Sequence, residues 1–305
     1  MMLRATLLGT ALCVLSALPR YEAGREGRVE DGGGARAATP AAWLARLNFH
    51  RKLAGLSAVT ANANWSAGAR LHARYVVKND AVEHVEDPAN PWYTPQGAAA
   101  GLNGNVMGRY ERDTSDTAAV DDWMSGPFHA IGMIDPQLAK TGFGSYRAAD
   151  GGLEMAATLD ANRGARGAVP AGQTFPIYWP NARAAVPITS FRLEYPDPLT
   201  SCPGFTAPSG LPVYLQIGAY DKKPKVTKSS FKKGGQALPH CVFHEGNYKN
   251  PDAAAQALGR AILDARDAIV LIPKAPLQPG ATYSVSITAN GKTTAWSFKV
   301  AANAK

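Results

Sequence analysis

Long hydrophobic runs are missing from nearly all of the 305 residues. The one apolar run lies in MMLRATLLGTALCVLSALPRYEA, and its stretch of about a dozen apolar residues is too short to cross a bilayer. Arg4 before it and small residues after it give the pattern of a secretory signal peptide over 1–23. The mature chain is therefore expected outside the cytoplasm, extracellular or periplasmic, with no transmembrane segment. Cysteine is sparse as well. Cys13 falls in the leader, where Leu12 precedes it in place of the small residue that lipidation requires. Cys202 and Cys241 remain, and in an oxidising compartment they are expected to form one disulfide.

Signatures of catalysis and of nucleic-acid binding are absent too. No G-x-S-x-G turn and no H-E-x-x-H helix occurs, which removes the readable forms of a serine nucleophile and a zinc protease. The net charge is +8, but no nucleic-acid motif accompanies it, and aromatics do not interleave with the basic residues. Nucleic acid is excluded as a partner on these grounds. Much of the excess charge is local, in RYEAGREGRVEDGGGARAA and in DKKPKVTKSSFKK with its six lysines. The second stretch reads as a solvated hairpin whose lysines protect a strand edge, or as a contact for an anionic cell surface.

What is present divides the chain. Residues 24–38 are Gly-rich and polar, the composition of a disordered linker. From 39 to 180, helix signals dominate. Thr39 and Pro40 open a first helix in which Leu44, Leu47 and Arg51 share a face, and Gly55 stops it. Trp65, Ala69, His72 or Ala73, and Val76 space a second helix, whose small Ala69 and Ala73 leave room for another element. AVEHVEDPANPWYTPQGAAAGLNGNVM reads as a loop. A third helix, capped by Ser115 or Asp116, carries Val120, Trp123 and Met124 and runs into SGPFH, which places His129 on a loop past its end. GFGSY, LEMAATLD and TFPIYWP are strand candidates. From 181 to 305 short alternations dominate, and Asn290-Gly291 marks a type I′ hairpin turn inside ATYSVSITANGKTTAWSFKV. This is an all-β sandwich pattern with Cys202–Cys241 as its staple.

LNFHRKLAGLSAV, SAGARLHARYVVKNDAVEHVED, AVDDWMSGPFHAIGMIDPQLAKTGFGSY and LEMAATLD together resemble the superfamily of cysteine-rich secretory proteins, antigen 5 and pathogenesis-related proteins, the CAP or SCP domain. The likeness covers about residues 40 to 160 and is nearest to the bacterial exported branch. It implies an α+β fold, an α-β-α sandwich with an open cleft, here followed by the β-sandwich, which is similar to Ig-like and fibronectin-III-like modules.

The resemblance also implies a site. His84 and His129 match the family's two cleft histidines, which in some members bind a divalent metal together with two acidic residues. Here Asn103 or Gly104 stands where one carboxylate is expected, and Met124 and Ser125 follow Trp123 where the other is expected. Glu83, Glu86 and Asp122 are the candidate replacements. Two imidazoles alone hold zinc weakly. The reading is therefore a binding protein rather than an enzyme, taking a small or lipid-like ligand or an envelope component at His84 and His129. Trp92, Tyr93 and Trp123 are expected to form an apolar wall, with Ser125 facing His129. Two rivals stand beside it: a metal-assisted envelope hydrolase, and an adhesion or scaffold protein acting through the basic sandwich.

Overall fold

The first helix, α1 (Pro40–Leu53), carries side chains that fix the loops around it. Asn48 pairs with both the amide and the carbonyl of Val59, at 2.8 and 3.1 Å, and so closes the turn after the helix. Arg51 is buried on the core face, where its guanidinium donates to the carbonyls of Met133, Asp135 and Leu138. Burial pulls its pKa down to about 10, against the attraction of Asp135. These contacts belong to a computed structural model that describes residues 40–304 apart from 166 and 184. The expected leader, linker and Thr39 cap lie outside the described residues.

The second helix, α2 (Ala63–Asn79), is capped by Asn62 and ends at Asp80 in the left-handed region, φ 50°. Its buried face includes Ala69, His72, Ala73 and Val76, and the strand Phe143–Arg147 passes so close to it that a side chain on Gly144 would meet the backbone of Arg70. The segment read as a loop holds a helix and a strand. Thr94 caps α3 (Pro95–Leu102), and β2 (Gly104–Arg109) follows. The Gly, Ala and Asn content hid them, although Thr94-Pro95 was a legible helix start. Strand β1 (Thr60–Ala61) pairs in parallel with β3 (Lys140–Thr141). Strands β4 (Phe143–Arg147) and β5 (Met155–Asp160) complete an antiparallel sheet in the order β2-β5-β4.

Ser115 caps α4 (Asp116–Ser125), as its position suggests. SGPFH is not a loop, however. Gly126 breaks the helix and Pro127 starts another, α5 (Pro127–Met133), so His129 sits in the first turn of α5. Proline at a first helical position gives up no hydrogen bond, which is why the chain can restart there at once.

The later strands form two four-stranded antiparallel sheets. One is β12 (His240–His244), β13 (Ala268–Pro273), β9 (Val213–Gln216) and β6 (Ile177–Trp179). The other is β11 (Gln236–Ala237), β10 (Val226–Lys233), β14 (Thr282–Ala289) and β15 (Lys292–Lys299). Strands β7 (Ser190–Phe191) and β8 (Ser209–Gly210) pair separately, and α6 (Ala253–Asp264) interrupts the run. Asn290 and Gly291 have φ of 50° and 77° at the β14–β15 turn, as a type I′ turn demands. Cys202 and Cys241 are bonded. The lysine-rich stretch is a loop carrying Lys222, Lys223 and Lys225 followed by β10, whose outer side is covered by the two residues of β11.

Strand β6, placed with the N-terminal helices when read from sequence, pairs with β9 instead. Side chains alternate across that sheet. Trp179 stacks on Tyr214 and lies against His50 of α1, while its neighbour Tyr178 packs on Trp296 of the other sheet. Tyr214 donates to the Met124 carbonyl of α4, and Phe243 of β12 meets Phe128 of α5. One side of this sheet thus covers α1, α4 and α5, and β13 is buried along its whole length. One large hydrophobic core runs from Trp43 to Val300, and a smaller cluster gathers Ala73, Val76, Val77, Val106, Leu153 and Ala156. That continuity fixes the loops of the C-terminal half against the N-terminal helices.

Candidate functional site

Two histidines are each held by one ring nitrogen. His129 Nδ1 lies 2.7 Å from Glu194 Oε1, and its backbone amide donates to the same oxygen at 2.8 Å. The second carboxylate oxygen accepts from the Phe128 amide at 3.1 Å. Glu194 therefore caps the first turn of α5, whose own cap residue, Gly126, has no side chain to do so. A side chain at Gly126 would lie 2.6 Å from Glu194 Oε1, so glycine there leaves space for the carboxylate. His84 Nδ1 faces the Gly101 carbonyl at 2.9 Å. The shielding of its surroundings lowers the His84 pKa, opposed by the Gly101 bond and reinforced by the nearby charges of His129 and His72.

These partners decide the tautomers. A carbonyl and a carboxylate that takes two other N–H groups act as acceptors, so Nδ1 of each ring carries a proton. In the neutral ring each Nε2 then presents a lone pair. His129 is partly open and His84 exposed, so both nitrogens are available for a ligand that donates hydrogen bonds.

A third histidine lies beneath them. His72 is fully buried, with Nδ1 at 2.9 Å from Glu86 and Nε2 at 2.9 Å from the Glu83 carbonyl. Glu86 also accepts from the Thr94 amide at α3, and side chains at Gly97 or Gly101 would collide with Glu86 or the His72 ring. This pair locks α2 to α3 and sets the position of Gly101, hence of His84.

The remaining expected residues are placed elsewhere. Ser125 donates to the Asp122 carbonyl one turn back on its own helix rather than to His129. Trp123 lies in the core, edge-on to Phe143, and forms no cleft wall. Trp92 carries Arg74 and Lys78 over its ring, each at 5.3 Å, and Tyr93 is half-buried beside it. Asp122 pairs with Arg109 at 2.7 Å. Asn103 bonds the Ala99 carbonyl, and a side chain at Gly104 would meet the Leu159 carbonyl, so no carboxylate enters from that segment. Asn105 stands there instead, and its amide donates to the His129 carbonyl at 3.3 Å.

Sequence reading missed Glu194, and it missed the exposed apolar residues near it and near His84 in the chain. Seven large apolar residues stand exposed among the described residues. Val82 and Val85 lie within two residues of His84, and Leu102 follows the Gly101 that holds it. Leu193 and Tyr195 flank Glu194. Five of the seven are thus close in sequence to His84 or to a residue that holds one of the two histidines.

Residues 44–158 match the family model described as the Cysteine-rich secretory protein family. The match covers 115 of the 305 residues and marks this stretch as similar to a CAP domain. No curated protein matches the chain. Both histidines lie within this stretch, whereas Glu194 lies beyond it. The carboxylate that orients His129 thus comes from the loop after β7.

A metal would need more than the CAP domain offers here. Each imidazole has an oriented Nδ1, the outer support that metal-binding histidines commonly have. Yet Glu194 is held by three N–H groups and Glu86 by His72 and Thr94, and among the described residues no three His, Cys, Asp or Glu side chains converge on one point. Two nitrogens fall short of the three protein ligands of a catalytic zinc. The donor set does not fit a resident metal.

Proposed function

We propose that the chain is an exported CAP-domain protein of the bacterial branch that binds a small, lipid-like molecule at His84 and His129, with the C-terminal half acting as an Ig-like module that supports the site. The exposed Val82, Val85, Leu102, Leu193 and Tyr195, carried by the same segments that hold His84 and His129, support this reading. Exposed Val, Leu and Tyr side chains favour the apolar body of a ligand. Two neutral imidazole lone pairs favour its hydroxyl or amine donors. A hydroxylated amphiphile, free or as part of an envelope component, satisfies both. Ser125, the hydroxyl just before His129 in the chain, is turned back onto the Asp122 carbonyl, which favours binding over a Ser-His hydrolase.

Native mass spectrometry of protein purified from its own host tests the reading. A co-purified small molecule is expected in the unaltered protein and lost in His84→Ala and His129→Ala variants that melt normally. Retention of the same molecule in both variants would refute it.

A further inference from the structure

A second binding site lies away from the histidines. Between the two four-stranded sheets, at the end where β14 turns into β15, a cavity of about 480 Å³ opens to the surface. Phe175, Leu215, Ile217 and Ala289 supply apolar walls, and Leu215 and Ala289 are buried. Lys222, Lys223 and Lys292 stand at its rim, all three exposed. The volume suits one small molecule, since such sites span roughly 300–1,000 Å³.

The rim is built rather than incidental. Asn290 is held at φ 50° in the β14–β15 turn. Its side chain accepts from the Lys225 amide at 2.7 Å and donates to the Lys223 carbonyl at 3.1 Å, and its own amide donates to the Lys225 carbonyl. The loop carrying Lys222 and Lys223 is thereby pinned to the hairpin carrying Lys292. Asp221 approaches Lys222 at 3.6 Å as an exposed pair, Glu245 lies near enough to Lys223 for their charges to interact, and Asp267 accepts from the Lys222 amide. The rim therefore keeps a net positive charge mainly through Lys292 and the partly offset Lys222 and Lys223. No carboxylate lines the cavity.

We infer that this cavity binds a single-chain amphipathic carboxylate of the fatty-acid type, with the chain between the sheets and the head among the three lysines. Apolar walls alone would take any hydrocarbon, and lysines alone would take any anion. Their combination across one narrow mouth selects a molecule that is both, and the size excludes a two-chain phospholipid. The inference does not rest on the histidine site, whose lone pairs would repel a carboxylate rather than bind it.

Calorimetric titration of the full chain with decanoate, below its micelle concentration, tests this. Saturable binding at one site per chain is expected. The combined substitution Lys222→Ser, Lys223→Ser and Lys292→Ser should weaken it about tenfold, because three exposed charge contacts, each weak by itself, are lost together. Decanol should bind the unaltered protein less tightly than decanoate. Thr294→Trp, which fills the cavity from β15, should abolish binding while the lysines remain. No saturable binding by the unaltered protein, or equal binding by the triple-lysine variant, would overturn the proposal. So would loss of decanoate binding in the His84→Ala/His129→Ala double variant, since the ligand would then occupy the histidine cleft.

Discussion

Glu194 Oε1 lies 2.7 Å from His129 Nδ1 although the two residues are 65 positions apart. The same buried carboxylate takes two amides from the first turn of α5, so it orients the imidazole and ends the helix at once. Glu194→Ala would leave three N–H groups without a partner, two of them on a buried helix start. Leaving buried donors unsatisfied costs about 1–3 kcal/mol apiece at most, so a loss of roughly 2–4 kcal/mol is expected. Urea unfolding of the variant measures it.

Gly126 and Glu194 should be energetically coupled. Gly126→Ala alone pushes a methyl into the carboxylate, at an expected cost of about 1–3 kcal/mol. In the Glu194→Ala background that obstacle is gone, so the second substitution should cost much less. A double-mutant cycle with an interaction energy above about 1 kcal/mol is the expected outcome. Additive losses would show that Gly126 is there for another reason.

Acid should destabilise the fold through His50. His50 is fully buried on α1, bonded to Asp121 at 2.7 Å and packed on Trp179. Burial lowers its pKa below the ordinary 6.5, more than the Asp121 bond raises it. The unfolded chain therefore binds this proton first. Stability is fully present above pH 6.5 and falls as the pH drops below it, by at most about 1.4 kcal/mol per unit for one group. His84, lowered in the same sense, adds to the trend. His50→Phe should flatten this limb of the stability-against-pH curve.

The disulfide closes a separation of 39 residues between Cys202 and Cys241. Cys202→Ala with Cys241→Ala should lower stability by about 3–4 kcal/mol on the loop-entropy account. Thermal melting with and without reductant checks it, since the unaltered protein under reductant should shift by a similar amount.

Much of the CAP domain was legible because its helices signal themselves locally. Asn62 and Ser115 cap where cap residues should stand, and Ala69 and Ala73 mark the face that meets the sheet. The Asn290-Gly291 turn and the cysteine pair were equally plain. Helix α3 was hidden because Gly97 and Gly101, poor helix formers, are needed where Glu86 and His72 press against them. Placing His129 on a loop failed because Gly126-Pro127 stops one helix and starts the next without a gap. Glu194 had no local signature at all: it meets His129 only because the sheet of β12, β13, β9 and β6 carries the second half of the chain onto α4 and α5. The missing cap at Gly126 was the one hint that a partner must arrive from elsewhere.

The central claim is that His84 and His129, the proposed binding pair, are locked with the proton on Nδ1, which leaves the two Nε2 lone pairs for a ligand. Long-range ¹H–¹⁵N correlation spectra of the ¹⁵N-histidine-labelled protein at neutral pH read this directly. The account predicts a protonated Nδ1 and an unprotonated Nε2 for both His84 and His129. A proton on Nε2 of either ring would contradict it.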